Sequence, residues 1–296
     1  NKDYECFYFI ADYHALTTLK NREEMKEYFF NIACTWLACG LDPEKVVFYR
    51  QSDIKEDFEL NWILCNVTPK GLMNRAHAYK AIVEKNEELG VDKDDGVNMG
   101  LYNYPILMAA DILLFDSDYV PVGLDQKQHI EIARDIAHNF NVKYGKCLKE
   151  PMEKIDDDNK TLIGLDGRKM SKSYNNTIPL FSTEEALKKA IFRVVTDSRL
   201  PGEAKDKDCT VNKLFKLFAT KEEAQKFEKD LLNGLGWGEA KKQLFEVANH
   251  YLSPMREKFN YFMAHKDEVE KILKEGAIKA QLVAEKVLKR VRIAIG

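Results

Sequence analysis

Residues 6–49 read CFYFIADYHALTTLKNREEMKEYFFNIACTWLACGLDPEKVVFY, and the order of patterns within them decides the fold. Cys6–Ala11 is a short continuous apolar and aromatic run, the pattern of a strand covered on both faces. From Arg22 to Cys39, the residues Met25, Phe29, Ile32, Ala33, Trp36 and Leu37 recur at helical spacing, and Gly40 supplies a C-terminal cap. A second apolar run, Val46–Tyr49, follows. Strand, helix and strand in that order require a right-handed crossover between parallel strands, so the expected class is α/β with a parallel sheet.

The next stretch repeats the theme. Helices are expected near 57–67 and 72–88, then over Pro105–Phe115, where Pro105 can open a helix because it has no N–H to leave unpaired. A brief strand, Tyr119–Val122, ends at Gly123. From Asp125 onward Ile130, Ala133, Ala137 and Phe140 form an apolar stripe, while Lys127, Glu131, Arg134 and Asp135 face away. Open α/β sheets bind ligands at the carboxyl ends of their strands. His14 and the turn Gly123-Leu124-Asp125-Gln126 are therefore expected to border one crevice.

Beyond residue 181 the strand signals stop and consecutive helices follow, which places a domain boundary there. Ser182 with Glu185, and Thr220 with Glu223, fit the capping box that opens a helix. A polar loop, Arg199–Asp208, and a glycine-rich corner, Asn233–Gly238, separate helices; Pro254 is expected to kink or break the one it falls in. The last segment, Ala277–Ile295, carries an apolar stripe through Ala280, Ala284, Val287, Val291 and Ala294.

Composition narrows the function classes. The 296 residues carry 45 Lys and Arg against 48 Asp and Glu, so a generally basic nucleic-acid coat is excluded and an RNA partner would need a local patch. Every apolar run is shorter than the roughly 18 residues a membrane span needs, and YPILMAADILLF holds Asp111 in its middle. The six cysteines, at 6, 34, 39, 65, 147 and 209, lack metal-ligand spacing and read as buried free thiols in a reducing compartment. No metal site is expected. His77, His129, His138, His250 and His265 have no second ligand at the right spacing and receive no role. The chain opens without Met or a targeting peptide, so residue 1 is not expected to be the native start.

The strongest local signal is Gly164-Leu165-Asp166-Gly167-Arg168-Lys169-Met170-Ser171-Lys172-Ser173-Tyr174-Asn175-Asn176. Three cations within five positions make an anion clamp: Lys169 and Lys172 can neutralise a polyphosphate, and Ser171 and Ser173 add hydroxyl donors. The flanking glycines and asparagines allow the loop to close over its ligand. A basic surface loop is the plainer reading of any K-x-x-K. A fixed pentapeptide, however, arises by chance in such a chain only roughly once in ten thousand. Lys169–Ser173 is similar to the KMSKS signature of class I aminoacyl-tRNA synthetases. DYHALT at 12–17, YPILMAADILL at 104–114, VPVGLDQKQH at 120–129, Gly236-Trp237-Gly238 and Glu275-Gly276-Ala277 further resemble the bacterial-type tryptophanyl-tRNA synthetases.

That resemblance implies a Rossmann-like parallel sheet with helices on both faces in a catalytic domain at 1–180. An all-helical domain at 181–296 would follow and bind the tRNA anticodon end, its last helix packing back on the first domain. It implies that Asp111 accepts the indole N–H, with Met108, Val120 and Val122 shaping the slot. An apolar slot around one buried carboxylate rejects phenylalanine, which would strand the charge without a donor. His14, Tyr104 and Gln126 would surround the amino acid's polar end, and Gly123, Leu124, Asp125 and Leu162 the adenosine. Lys169, Met170, Ser171, Lys172 and Ser173 would take the ATP phosphates, Lys169 and Lys172 as the catalytic cations. The implied ligands are L-tryptophan, ATP with Mg²⁺ and tRNA(Trp), in a cytoplasmic homodimer. Two departures stand out: the family's HIGH-like segment normally precedes the point where this chain starts, and nothing in residues 1–296 supplies it; and Leu124 stands where many relatives carry an acidic residue. A tyrosyl-tRNA synthetase and a non-catalytic synthetase-like binding protein remain as alternatives.

Overall fold

The computed structural model describes residues 4–19, 21–155 and 162–296. The first apolar run forms β1 (Phe7–Ile10), which enters a single helical turn, α1 (Asp12–Ala15). The amphipathic stretch forms α2 (Arg22–Ala38), followed by Gly40 at φ +100°, and the second run forms β2 (Val47–Arg50). β1 and β2 pair in parallel, Phe7 opposite Val47 through Ile10 opposite Arg50, as the strand–helix–strand order requires. After a 3-10 turn at Gln51–Asp53 come α3 (Glu56–Cys65), α4 (Lys70–Met73), α5 (His77–Leu89) and α6 (Met99–Leu113). A second parallel pair, β3 (Tyr119–Pro121) with β4 (Met152–Lys154), flanks α7 (Lys127–Tyr144). The remaining helices are α8 (Glu184–Phe192), α9 (Thr210–Phe215), α10 (Lys221–Leu232), α11 (Trp237–Ala264) and α12 (Lys266–Ile295). No helix among the described residues is long and apolar enough to cross a membrane.

The chain divides into two compact units. One comprises Asn1–Cys34, Leu41–Asn159 and His265–Gly296; the other comprises Thr35–Gly40 and Lys160–Ala264. The compositional change at 181 thus lies inside the second unit, and α12 belongs to the first. Within the first unit α6 is central, with Ala109, Ala110, Leu113 and Leu114 sealed from solvent. The predicted stripe of α7 is buried at Ile130, Ala133, Ala137 and Phe140. Each such large side chain contributes roughly 1.5–3 kcal/mol by leaving water. The stripe of α12 is buried at Ala280, Ala284, Val287 and Val291. This helix approaches β2 so closely that a Cβ on Gly276 would sit 1.7 Å from the Phe48 carbonyl oxygen. Its basic residues serve this docking. Arg290 Nη1 donates to Asp116 Oδ2 at 3.0 Å, Arg292 Nε to Glu59 Oε1 at 2.6 Å, and Lys279 Nζ to the Pro43 carbonyl at 3.4 Å.

The second unit packs α8 to α11 around Leu187, Ile191, Val211, Leu214, Phe227, Leu231, Leu244 and Ala248. The rings of Phe215 and Phe227 stack 3.9 Å apart. The 199–208 loop is not merely polar surface. Lys205 is 1% exposed, and its Nζ donates to the carbonyls of Leu200 and Glu203 at 2.6 Å each, which fixes the loop from within. At the glycine-rich corner Gly234 has φ +93°, and a Cβ there would lie 2.5 Å from Gly202 backbone.

Several local expectations change. Pro105 does not open its helix; α6 begins six residues earlier, where the Asn98 side chain accepts from the Leu101 N–H at 2.9 Å. One missing N–H inside a buried helix is outweighed by packing. The cap of α8 is Thr183, not Ser182. Thr220 and Glu223 do form the reciprocal box. Pro254 lies inside α11, which continues through it. Gly276 lies in the interior of α12, whose N-terminus is at Lys266. Of the six free cysteines only Cys34 is buried; Cys39 is exposed and the others are intermediate.

Candidate active site

In the first unit, the carboxyl ends of the adjacent parallel strands β1 and β2 deliver His14 and Gln51 toward α6. The Gln51 side chain, 1% exposed, works in both directions. Its Oε1 accepts from the backbone N–H groups of Tyr13 and His14 at 3.2 and 3.4 Å, and its Nε2 donates to Asp111 Oδ1 at 2.7 Å. His14 Nε2 lies 2.7 Å from Asp111 Oδ2. Burial lowers the His14 pKa, so the ring is neutral at pH 7 and its Nε2–H is the donor. Asp12 Oδ1 accepts from the Ser52 N–H at 3.0 Å, which ties the two strand-end turns together.

Asp111 is therefore neither solvated nor loose: its residue is 6% exposed and both oxygens are held. Burial raises its pKa to about 6, against the lowering effect of hydrogen bonds to Asp57 and Gln51. Asp57, in the first turn of α3, is 2% exposed, and burial first and then the charge of Asp111 hold its carboxyl well above the ordinary carboxylate range. Around this cluster burial, then Asp111 and Asp57, hold the Tyr49 phenol well above its ordinary range.

The other expected amino-acid residues lie on neighbouring elements of the same unit. Met108 is one turn before Asp111 on α6, and Val120 and Val122 lie in and just after β3; all three are partly buried against the unit's core. The Tyr104 ring meets His14 edge-on at 6.2 Å and His129 at 5.7 Å. Gly123 precedes a 3-10 turn at Leu124–Gln126, where Leu124 is 74% exposed and Gln126 Nε2 donates to Asp125 Oδ2 at 3.0 Å. No side chain caps α7, so Asp125 does not serve as its N-cap. His129, given no role above, is buried, and its Nδ1 has no partner among the described residues.

In the second unit, residues 162–170 form a tight hairpin, with the Met170 N–H donating to the Leu162 carbonyl at 2.8 Å and the Gly164 N–H to Arg168 at 2.7 Å. Leu162 is half exposed at its base. Asn176, 2% exposed, staples the loop: its Nδ2 donates to Asp166 Oδ1 and to the Lys169 carbonyl, and its Oδ1 accepts from the Ser171 N–H. Ser171 Oγ then caps the turn at Lys172–Tyr174 and lies 2.8 Å from Ser173 Oγ. Arg168 is spent internally, paired with Asp166 and placed 4.5 Å over the Tyr174 ring. The Asn176 hydrogen bond, aided by Arg168, pushes the Asp166 pKa down to about 2. Lys169 and Lys172 are exposed and pair with no carboxylate among the described residues, leaving two ammonium groups on a braced loop. Met170 packs into the unit's core. The loop therefore presents two unpaired cations, not three, and Asn176 is a buried brace within it.

Gln51 and Asp57 were absent from the expected set. Gln51 follows strand β2 directly and was accessible to the rule that selected His14. Asp57 reads as an ordinary acidic residue in a helix's first turn, and nothing local signals its burial.

Residues 1–253 match the family model described as tRNA synthetases class I (W and Y), and the chain belongs to that family. Among its relatives, a tryptophan–tRNA ligase of Bordetella parapertussis is 52% identical over 295 residues, covering 99% of this chain and 65% of the relative. The corresponding ligase of Neisseria meningitidis is 50% identical, covering 100% of this chain and 89% of its own length. A tryptophanyl-tRNA synthetase crystal structure from Campylobacter jejuni, complexed with ADP and tryptophan, superposes with a TM-score of 0.91 at 41% identity, covering 100% of this chain and 91% of that one. The chain thus spans about two thirds of the Bordetella relative's length and most of the other two.

Proposed function

We propose that this protein is a tryptophan–tRNA ligase: it activates L-tryptophan with MgATP and transfers the product to tRNA(Trp). The observation that carries the reading is Asp111, a buried carboxylate presented by His14 and Gln51 beside apolar side chains. The names of relatives at about half identity support it.

In the first step a carboxylate oxygen of tryptophan attacks the α-phosphorus of ATP. A new O–P bond forms as the bond to the β-phosphate oxygen breaks, releasing pyrophosphate. In the second step a terminal ribose hydroxyl of the tRNA attacks the adenylate's carbonyl carbon, and AMP leaves with the bonding pair. No protein nucleophile is required, so the residues act by position and charge. Asp111 accepts the indole N–H, with Met108, Val120 and Val122 forming the slot. His14, Tyr104 and Gln126 serve the polar end, while Gly123, Leu124, Asp125 and Leu162 serve the adenosine. Lys169 and Lys172, with Ser171 and Ser173, meet the negative charge that gathers on the leaving pyrophosphate; Met170 anchors their loop. Mg²⁺ enters with ATP as part of the substrate.

The helices after residue 181 are proposed to contact the anticodon end of the tRNA. With Arg290 and Arg292 occupied by Asp116 and Glu59, phosphate contact on α12 falls to its remaining lysines. The working form is proposed to be a cytoplasmic homodimer. ATP–pyrophosphate exchange tests the reading: tryptophan should drive it. Exchange driven by tyrosine instead, or by neither amino acid, would replace it with a tyrosine enzyme or a non-catalytic binding protein.

A further inference from the structure

Asp57 has no place in the reaction described above, yet it lies at the most guarded point of the tryptophan cluster. It projects from the first turn of α3 and is 2% exposed. Its carboxyl lies beside that of Asp111, close enough for each to bear on the other's proton. Its Oδ1 is sealed from solvent and has no hydrogen-bond partner among the described residues. Among the described residues no arginine or lysine acts on either carboxyl. The groups facing the pair are His14 and Asp12 from the turn after β1, Tyr49 from β2 and Gln51 from the turn after it.

Two carboxyls within hydrogen-bond reach of each other, out of water and without a cation, cannot both be ionised. One oxygen must carry a proton, and that proton supplies the hydrogen bond between them. The orphaned Oδ1 indicates on which residue it resides. An ionised Asp57 would leave a charged oxygen dry and unpaired, whereas both Asp111 oxygens already receive donors. Burial and the Asp111 charge both raise the Asp57 pKa, in agreement with this placement.

We infer that Asp57 is a positioning residue, a neutral carboxylic acid whose O–H donates to Asp111 and fixes that carboxylate as the reader of the indole N–H. A carboxylate offers about four lone-pair directions. His14, Gln51 and Asp57 fill three, and the one left open is for the ligand. The inference rests on the tryptophan reading for its functional half; the shared proton rests on the burial of both carboxyls, the orphaned Oδ1 of Asp57 and the donors already held by Asp111.

The test uses Asp57→Asn, a neutral side chain that still donates, and Asp57→Ala, which removes the donor, both in the native protein. Infrared difference spectra at pH 7 should show the carbonyl stretch of a protonated carboxyl in the parent and its loss in Asp57→Asn. In tryptophan-dependent pyrophosphate exchange, Asp57→Ala should raise the KM for tryptophan about tenfold or more, with kcat and the KM for ATP little changed. Asp57→Asn should stay within about threefold of the parent. A parent spectrum without that band overturns the inference, as does a folded Asp57→Ala with parental KM. So does an Asp57→Asn whose KM rises as far as that of Asp57→Ala. If Asp57→Ala does not fold, the spectrum and Asp57→Asn still decide. If the parent shows no tryptophan-dependent exchange, the functional reading and the indole role fail together, and the spectrum alone decides the shared proton.

Discussion

His14 Nε2 donates to Asp111 Oδ2 across 2.7 Å, joining the turn after the first strand to the middle of α6 over 97 positions of sequence. Replacing His14 with Ala removes one of the donors that hold the carboxylate and opens space beside it. The KM for tryptophan should rise about ten- to a hundredfold, since a hydrogen bond to a charged group is worth about 1.5–3 kcal/mol. Steady-state exchange kinetics with tryptophan varied at saturating ATP provide the measurement, and the KM for ATP should not move.

Asp111→Asn should be more damaging. The amide retains one acceptor but turns a donor toward His14 or Gln51, so at least one buried pair meets donor to donor. Tryptophan binding, read by calorimetry, should weaken about tenfold or more.

The same carboxyl predicts a pH dependence. Its folded pKa is raised to about 6 from an ordinary 3.8, so the native state binds this proton more tightly than the unfolded chain does. The stability it contributes is fully present below about pH 3.8 and is lost as the pH rises through about 6. Denaturant unfolding at pH 5 and pH 8 should show a smaller loss on going to pH 8 in Asp111→Asn than in the parent. Tryptophan affinity should run the opposite way in the parent, falling below about pH 6 as Asp111 becomes protonated.

Lys172→Ala should reduce kcat for exchange by about one to two orders of magnitude while leaving tryptophan affinity within error, because its charge matters most as pyrophosphate departs. Asn176→Ala should mimic it more weakly. That variant keeps both ammonium groups but cuts the bonds from Asn176 to Asp166, Lys169 and Ser171 that brace their loop. Equal kcat in the parent and in Lys172→Ala would remove the loop from the chemistry.

Gly276→Ala tests the docking of α12. A methyl 1.7 Å from the Phe48 carbonyl must displace the helix or the strand. Such overpacking costs about 1–3 kcal/mol, and a chain of this size loses roughly 2–4 °C of melting temperature per kcal/mol. Thermal unfolding followed by circular dichroism should register the fall.

The parallel β1–α2–β2 unit was legible because its evidence is local: two short apolar runs around one amphipathic helix ending at a glycine. The motif loop was legible as a family signature, since five fixed residues carry it. Other features depend on distant partners. Asp57 looks like any acid in a helix's first turn until α6 covers it. Pro105 resembles a helix start because the residues before it, Met99–Tyr104, lack a polar face to reveal that they too are helical. The stripe of α12 announced that one face is buried but not that β2 covers it. Arg290 and Arg292 are the clasps of a helix returning to the first unit, and nothing in their local sequence names the acidic partners they meet.

That return has a bearing on biosynthesis. The strands at 7–10 and 47–50 leave the ribosome early, yet the helix that shields Phe48 and its neighbours is made only after residue 265. Until then the nascent sheet must wait with one flank uncovered, so a stalled or clipped polypeptide ending before α12 would be a natural substrate for chaperones and proteases.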